Sequence, residues 1–207
     1  MSQIFEHGSW VHPDAKFLGT AQVGFNSCVG HGPIHETPVI IGDGVCIGAF
    51  CIIEHDVIIE ANVVVDHYCR IASGTRIGAN TRILYGAQVF DDVVIGRNCI
   101  VAGDLVDRTI VEDEVTFQGN TAHLHADPTR DWDETEEPSP VIKYGSIVGI
   151  GALLIGGITI GPQSYVAAGE IVRCDVAMHK VVQAGKCTDL AAFRGIIKVR
   201  GDERNCG

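Results

Sequence analysis

From Ile41 to Val101 an aliphatic residue returns at every sixth position: Ile41, Ile47, Ile53, Ile59, Val65, Ile71, Ile77, Ile83, Val89, Ile95 and Val101. Four residues after each stands a second inward candidate of modest size: Val45, Cys51, Val57, Val63, Cys69, Thr75, Thr81, Ala87, Val93, Cys99 and Leu105. Three after each come Gly44, Phe50, Asp56, Asn62, Tyr68, Gly74, Asn80, Gly86, Asp92, Asn98 and Asp104, and nine of these eleven are Gly, Asn or Asp. Those residue types accept a left-handed backbone at least cost, so the chain asks for a corner once in every six. No helix has that period. The pattern predicts an all-β solenoid in which each six is a short strand and a corner, with both inward slots filling a prism walled by parallel sheets.

Counting back by sixes reaches His35, Val29, Val23, Phe17 and Val11, so the repeat begins near the first residue, with only His35 breaking the apolar rule. Counting forward, the register slips after Val101. The next matching aliphatic residues are Val111 and Phe117, which predicts four extra residues protruding at 107–110. Residues 123–147 are polar, acidic and proline-containing and read as a long loop; the sixes resume at Val148, Leu154, Ile160, Val166 and Val172. A loop of that length inside a solenoid points to function. From about Val176 the tail reads as a cap over the open prism end, with a short helix over 189–194 and a basic run through Lys198 and Arg200. The expected organisation is one repeat domain over 1–186, interrupted at 123–147, and a cap over 187–207. Glu170 falls in a small inward slot, where an ionised carboxylate would need a partner; it either turns outward in a distorted last coil or is hydrogen-bonded near the cap.

Composition agrees with a narrow prism: 46% of the 207 residues are hydrophobic but only 6% aromatic, and 25 are Gly. The net charge of −11 argues against nucleic acid and anionic membrane as partners, because both require a positive face. The first residues lack a secretory pattern and no stretch reads as a membrane span, so a cytoplasmic location is expected. Cys51, Cys69 and Cys99 occupy the small inward slot and read as structural thiols, while Cys187 and Cys206 are exposed candidates.

Segments such as IGDGVCIG, RIGANTRI, VIGRNCIV and ITIGPQSYVAAGEIV make the chain resemble the hexapeptide-repeat acyltransferases from Val11 to about Lys186. VTFQGN, the loop, and VIKYGSIVGIGALLIGGITIGPQSYVAAGEIVRCDV with VVQAGK are similar in order and spacing to the sugar and nucleotide-sugar acyltransferases of that family. The resemblance implies a left-handed parallel β-helix. It also implies acyl transfer, acetyl above all, from an acyl-coenzyme A to an amine or hydroxyl of a small acceptor such as a sugar, in a homotrimer with the coenzyme between subunits. By the same analogy Gly151, Ala152, Ala168 and Gly169 would let the pantetheine approach the backbone, and Lys180 and Lys186 would meet the phosphates.

Direct attack on a thioester needs a base, for which histidine is suited. His123 and His125 lie where the prism breaks into the loop, beside Asp127, which could orient an imidazole; the segment NTAHLHADPTR resembles the histidine loop of the maltose and galactoside acetyltransferases, with altered spacing. His123 is the first choice because it follows the last in-register residue most closely. His31 and His67 are two coils apart on one outward face and could touch the acceptor. A zinc site of the γ-carbonic-anhydrase kind would need a third ligand, and Ala72 stands where that resemblance would put one, so no metal is expected. A non-catalytic trimeric scaffold is the remaining alternative, with the acidic run Asp131, Asp133, Glu134, Glu136 and Glu137 as a partner-binding flap.

Overall fold

The six-residue period becomes three walls of stacked, mostly two-residue parallel strands in a computed structural model, which describes all residues except 1–2, 5–7, 13–14, 18–20, 26, 31–32, 35–38, 128, 130–135 and 194–207. On the first wall Ile41 pairs with Ile59 and Ile59 with Ile77; on the second Ile47 pairs with Val65 and Val65 with Ile83; on the third Ile53 pairs with Ile71 and Ile71 with Val89. Each pair is three sixes apart, so one coil consumes three strands and three corners. Backbone groups are satisfied by the neighbouring coil, as in Ile58 N–H to Thr75 O at 3.0 Å and Glu60 N–H to Ile77 O at 2.9 Å.

Both inward slots are filled as the pattern requires. Ile53, Ile59, Ile71, Ile77 and Ile83 are fully enclosed, and so are Val57, Val63, Ala87 and Val93 between them. Burying each large aliphatic side chain stabilises the prism by about 1.5–3 kcal/mol. Hydroxyls and thiols in the small slot turn to the next coil's carbonyls: Thr81 Oγ1 donates to Gly96 O at 2.8 Å and Cys99 Sγ to Glu112 O at 3.1 Å. Corner residues adopt positive φ, including Asp56 at 57° and Asn62 at 59°, and also the bulky Phe50 at 61° and Tyr68 at 62°.

The register slip has a different cause from the one expected. Leu105 takes the large slot above Val89, only four residues after Val101, and Val111 follows six later. The coil is therefore two residues short, and nothing protrudes at 107–110. Asp104 is a strand residue; the turn falls at Gly103, with φ of 94°. A Cβ on Gly103 would lie 2.0 Å from Gly119 O, so only glycine permits the tight approach.

Past Phe117 the same shortening recurs, with Thr121 four residues on and paired with Leu154, and the chain rejoins the prism at Val141–Ile142, earlier than the sequence suggested. Ser146 fills a small slot and Gly145, with φ of 64°, makes the corner, so residues 141–147 belong to the wall and the excursion is 123–140. The short helix expected at 189–194 is a 3-10 turn, Leu190–Ala192. Beyond the last coil the second wall continues into a hairpin, Lys180–Gln183 against Lys186–Asp189, which straddles the expected 186/187 boundary. Its two-residue turn, Ala184 at φ 51° and Gly185 at φ 68°, has the left-handed pair that matches strand twist. Glu170 lies beneath that turn and accepts the N–H groups of Ala184 at 2.6 Å and Gly185 at 3.0 Å, which is the hydrogen-bonded alternative. Among the described residues no helix is long and apolar enough to cross a membrane.

Candidate active site

The excursion leaves the prism at the corner between the third and first walls. One coil below, that corner carries Asp107 and Arg108; below those stand Asp91 and Asp92. The corner is stitched by side chains, since Asp107 Oδ1 accepts Asp91 N–H at 3.2 Å and Asp91 Oδ1 accepts Ser73 N–H at 3.0 Å. Burial, then the negative charge of Asp107 and Glu54, raises the Asp91 carboxyl above its ordinary range. The loop folds back on this corner: Ser139 Oγ donates to Asp107 O, and Arg108 pairs with Glu136 at 3.0 Å.

His123 is held in the resulting crevice with 13% of its side chain exposed. Its Nδ1 is enclosed, takes no hydrogen bond, and lies 4.0 Å from Glu137 Oε2; its Nε2 lies 3.9 Å from Asp107 Oδ2. Both distances are too long for hydrogen bonds and short enough for direct electrostatic contact. Glu137 is itself held in place, with 12% of its side chain exposed and an oxygen accepting the His125 N–H at 3.0 Å. The His125 ring is exposed and meets His123 edge-on at 6.0 Å between centroids. Asp127, the orienting carboxylate expected from sequence, accepts the backbone N–H and hydroxyl of Thr129 at 2.8 and 2.7 Å.

The carboxylates that flank His123, Asp107 and Glu137, were not identified from sequence. Asp107 is legible in principle, because it lies sixteen residues before His123, one shortened coil, but a count by sixes reads the slip as an insertion. Glu137 is part of an acidic run that carries no periodic signal.

The residues expected to contact coenzyme lie elsewhere. Gly151 and Gly169, with φ of 69° and 74°, and the exposed Ala168 form the corner between the second and third walls, and a Cβ on either glycine would meet nothing within 4 Å. Ala152 is removed from that set: it is fully buried, its N–H donates to Gly149 O and its carbonyl accepts Asn120 N–H, because it fills the small inward slot. Between this corner and His123 runs the third wall, whose outward residues include Leu153 and Ile171. Lys180 is engaged by Asp189, and Lys186 is exposed on the hairpin.

His67 has an architectural task. Its Nδ1 accepts the Ala49 N–H at 2.8 Å, as Asp91 and Asp107 do for their own lower neighbours. His31, His35, Asp131, Asp133, Glu134, Lys198, Arg200 and Cys206 lie outside the described residues. Among the described residues no group of three or more His, Cys, Asp or Glu side chains is arranged to hold a metal.

Residues 38–73 match the family model for the bacterial transferase hexapeptide, six repeats. The solenoid is a left-handed hexapeptide-repeat β-helix. Its fold is similar to that of the UDP-N-acetylglucosamine acyltransferase of Francisella novicida, at 15% identity over 86% of this chain and 69% of that one, with a TM-score of 0.71. The Campylobacter jejuni UDP-N-acetylglucosamine acyltransferase overlays more loosely, at 13% identity over 86% of this chain and 73% of that one, with a TM-score of 0.48. No curated protein matches the sequence in direct comparison. At these identities the likeness speaks for the hexapeptide β-helix and not for a shared reaction.

Proposed function

We propose that the protein is an acyltransferase that moves an acyl group, acetyl in the first instance, from an acyl-coenzyme A to an amine or hydroxyl of a small acceptor such as a sugar or nucleotide-linked sugar, working as a homotrimer. The observation that carries the reading is His123, an enclosed imidazole set between Glu137 and Asp107 at the edge of a repeat prism. With Nδ1 as the N–H facing Glu137, Nε2 keeps the lone pair on the side of the exposed Asp107, where an acceptor can approach. The acceptor's nitrogen or oxygen attacks the thioester carbonyl carbon while Nε2 takes its proton; the C–S bond then breaks, and the imidazolium returns the proton to the departing thiolate. Glu137 and Asp107 offset the charge that the ring carries between those steps, as the carboxylate of a hydrolase triad does. The attack is direct and forms no acyl-enzyme.

The open corner at Gly151, Ala168 and Gly169 supports a place for the pantetheine, leading along Leu153 and Ile171 toward His123, with Lys186 available to phosphate. His125 and Asp127 shape the loop around the acceptor, and His67 would meet an acceptor only at the more distant corner. Release of free coenzyme A from acetyl- and longer acyl-coenzyme A, measured against a panel of amino and hydroxy sugars, tests the reading. His123→Ala should lower turnover by about 10²–10⁴-fold with the fold intact. Unchanged turnover in His123→Ala would remove it as the base.

A further inference from the structure

The outward faces of two neighbouring coils bring a pair of thiols into line. Cys28 and Cys46 are directly opposed residues of adjacent parallel strands on the second wall, with Trp10 below and Val64 above in the same column. Their inward neighbours Val29 and Ile47 are buried, so both sulfurs face out into a groove of about 550 Å³ lined also by His12 and His67. Cys46 is exposed and Cys28 half-buried. Burial, then the neighbouring Cys46 thiol, pushes the Cys28 thiol above its ordinary range.

We propose that Cys28 and Cys46 form a binding site for a soft, two-coordinate cation, Cu(I) being the ion that this donor set suits. Thiolates select soft ions, and an ion content with two ligands suits this pair, since among the described residues no group of three or more His, Cys, Asp or Glu is arranged to hold a metal. Adjacent strands lie about 4.8 Å apart. Two metal–thiolate bonds of about 2.3 Å each, taking the zinc length as a guide, span about 4.6 Å and bridge the coils without moving either backbone. Both thiols give their protons to solvent on binding, so the closed pair carries one net negative charge beside the Trp10 ring.

The test uses the full-length protein, reduced and under anaerobic conditions, titrated with Cu(I) in competition with a chromogenic Cu(I) chelator. One ion per chain should be retained, with quenching of Trp10 emission in a Trp132→Phe background. Cys46→Ser and Cys28→Ser should each abolish retention, while Cys174→Ser and Cys187→Ser leave it unchanged; an unaltered melting temperature in the Cys46→Ser protein verifies its fold. Retention of one ion by the folded Cys28→Ser/Cys46→Ser double variant would overturn the proposal. So would failure of the wild-type chain to compete, or isolation of a Cys28–Cys46 disulfide from the reduced anaerobic sample.

Discussion

Glu170→Ala removes the acceptor beneath the hairpin turn, and the loss can be worked from two contacts. The carboxylate takes the Ala184 N–H at 2.6 Å and the Gly185 N–H at 3.0 Å. Hydrogen bonds to a charged group contribute about 1.5–3 kcal/mol each when shielded. Here Glu170 is half-buried and both amide residues are exposed, so water replaces much of what is lost. We expect about 1–2 kcal/mol for the pair, at the level of partly exposed charged contacts. Amide hydrogen exchange reads this locally: protection at Ala184 and Gly185 should fall by roughly 5–30-fold, at about 1.4 kcal/mol per factor of ten. Glu170→Gln keeps one carbonyl oxygen without the charge and should fall between wild type and Ala. Because each coil touches only its neighbours, amides of the central coils such as Ile58 and Glu60 should not change. Equal protection of the turn in the wild-type and Ala proteins, with the hairpin still formed, would refute the account and make Glu170 an ordinary surface carboxylate.

Phe117 is the bulkiest fully enclosed side chain and sits in the large slot beneath Val148, so Phe117→Ala should destabilise the chain by about 3–5 kcal/mol, read as a lowered urea midpoint. Phe117→Leu should recover most of that loss; a silent Phe117→Ala would contradict the packing. Burial pushes the Cys99 thiol up from 9.0 to about 11. The folded chain then holds a proton that the unfolded chain releases, so this contribution is complete below pH 9 and is lost as pH rises toward 11. At about 1.4 kcal/mol per pKa unit it is worth roughly 2–3 kcal/mol, and Cys99→Ala should show a correspondingly flatter loss of urea stability over that range.

Much of the prism was legible because a period of six is a strong constraint: large slot, small slot and corner repeat in one dimension, and each coil is checked by the next. The slip after Val101 is ambiguous for a simple reason. A shift of register by ten can be two sixes less two residues or one six plus four, and periodicity does not distinguish them. The Gly103 turn and its approach to Gly119 decide for the deletion, which promotes Leu105 to the large slot and puts Asp107 under His123. The loop's return at Val141–Ile142 was hidden because a single coil side of VIKYGSI is too short to show a period.

The sequence by itself determined the architecture, the direction in which the residues of the regular sixes point, and the presence of a loop that interrupts the late coils. It also placed His123 and His125 at the break, since local order along the chain carries that information. Tertiary structure alone decided what surrounds them. Glu137 reaches His123 across a loop. Cys28 and Cys46 meet only because one coil later is one strand across. These are contacts between residues far apart in sequence, set by coil stacking and by where an aperiodic loop comes to rest. Neither is encoded in the repeat itself.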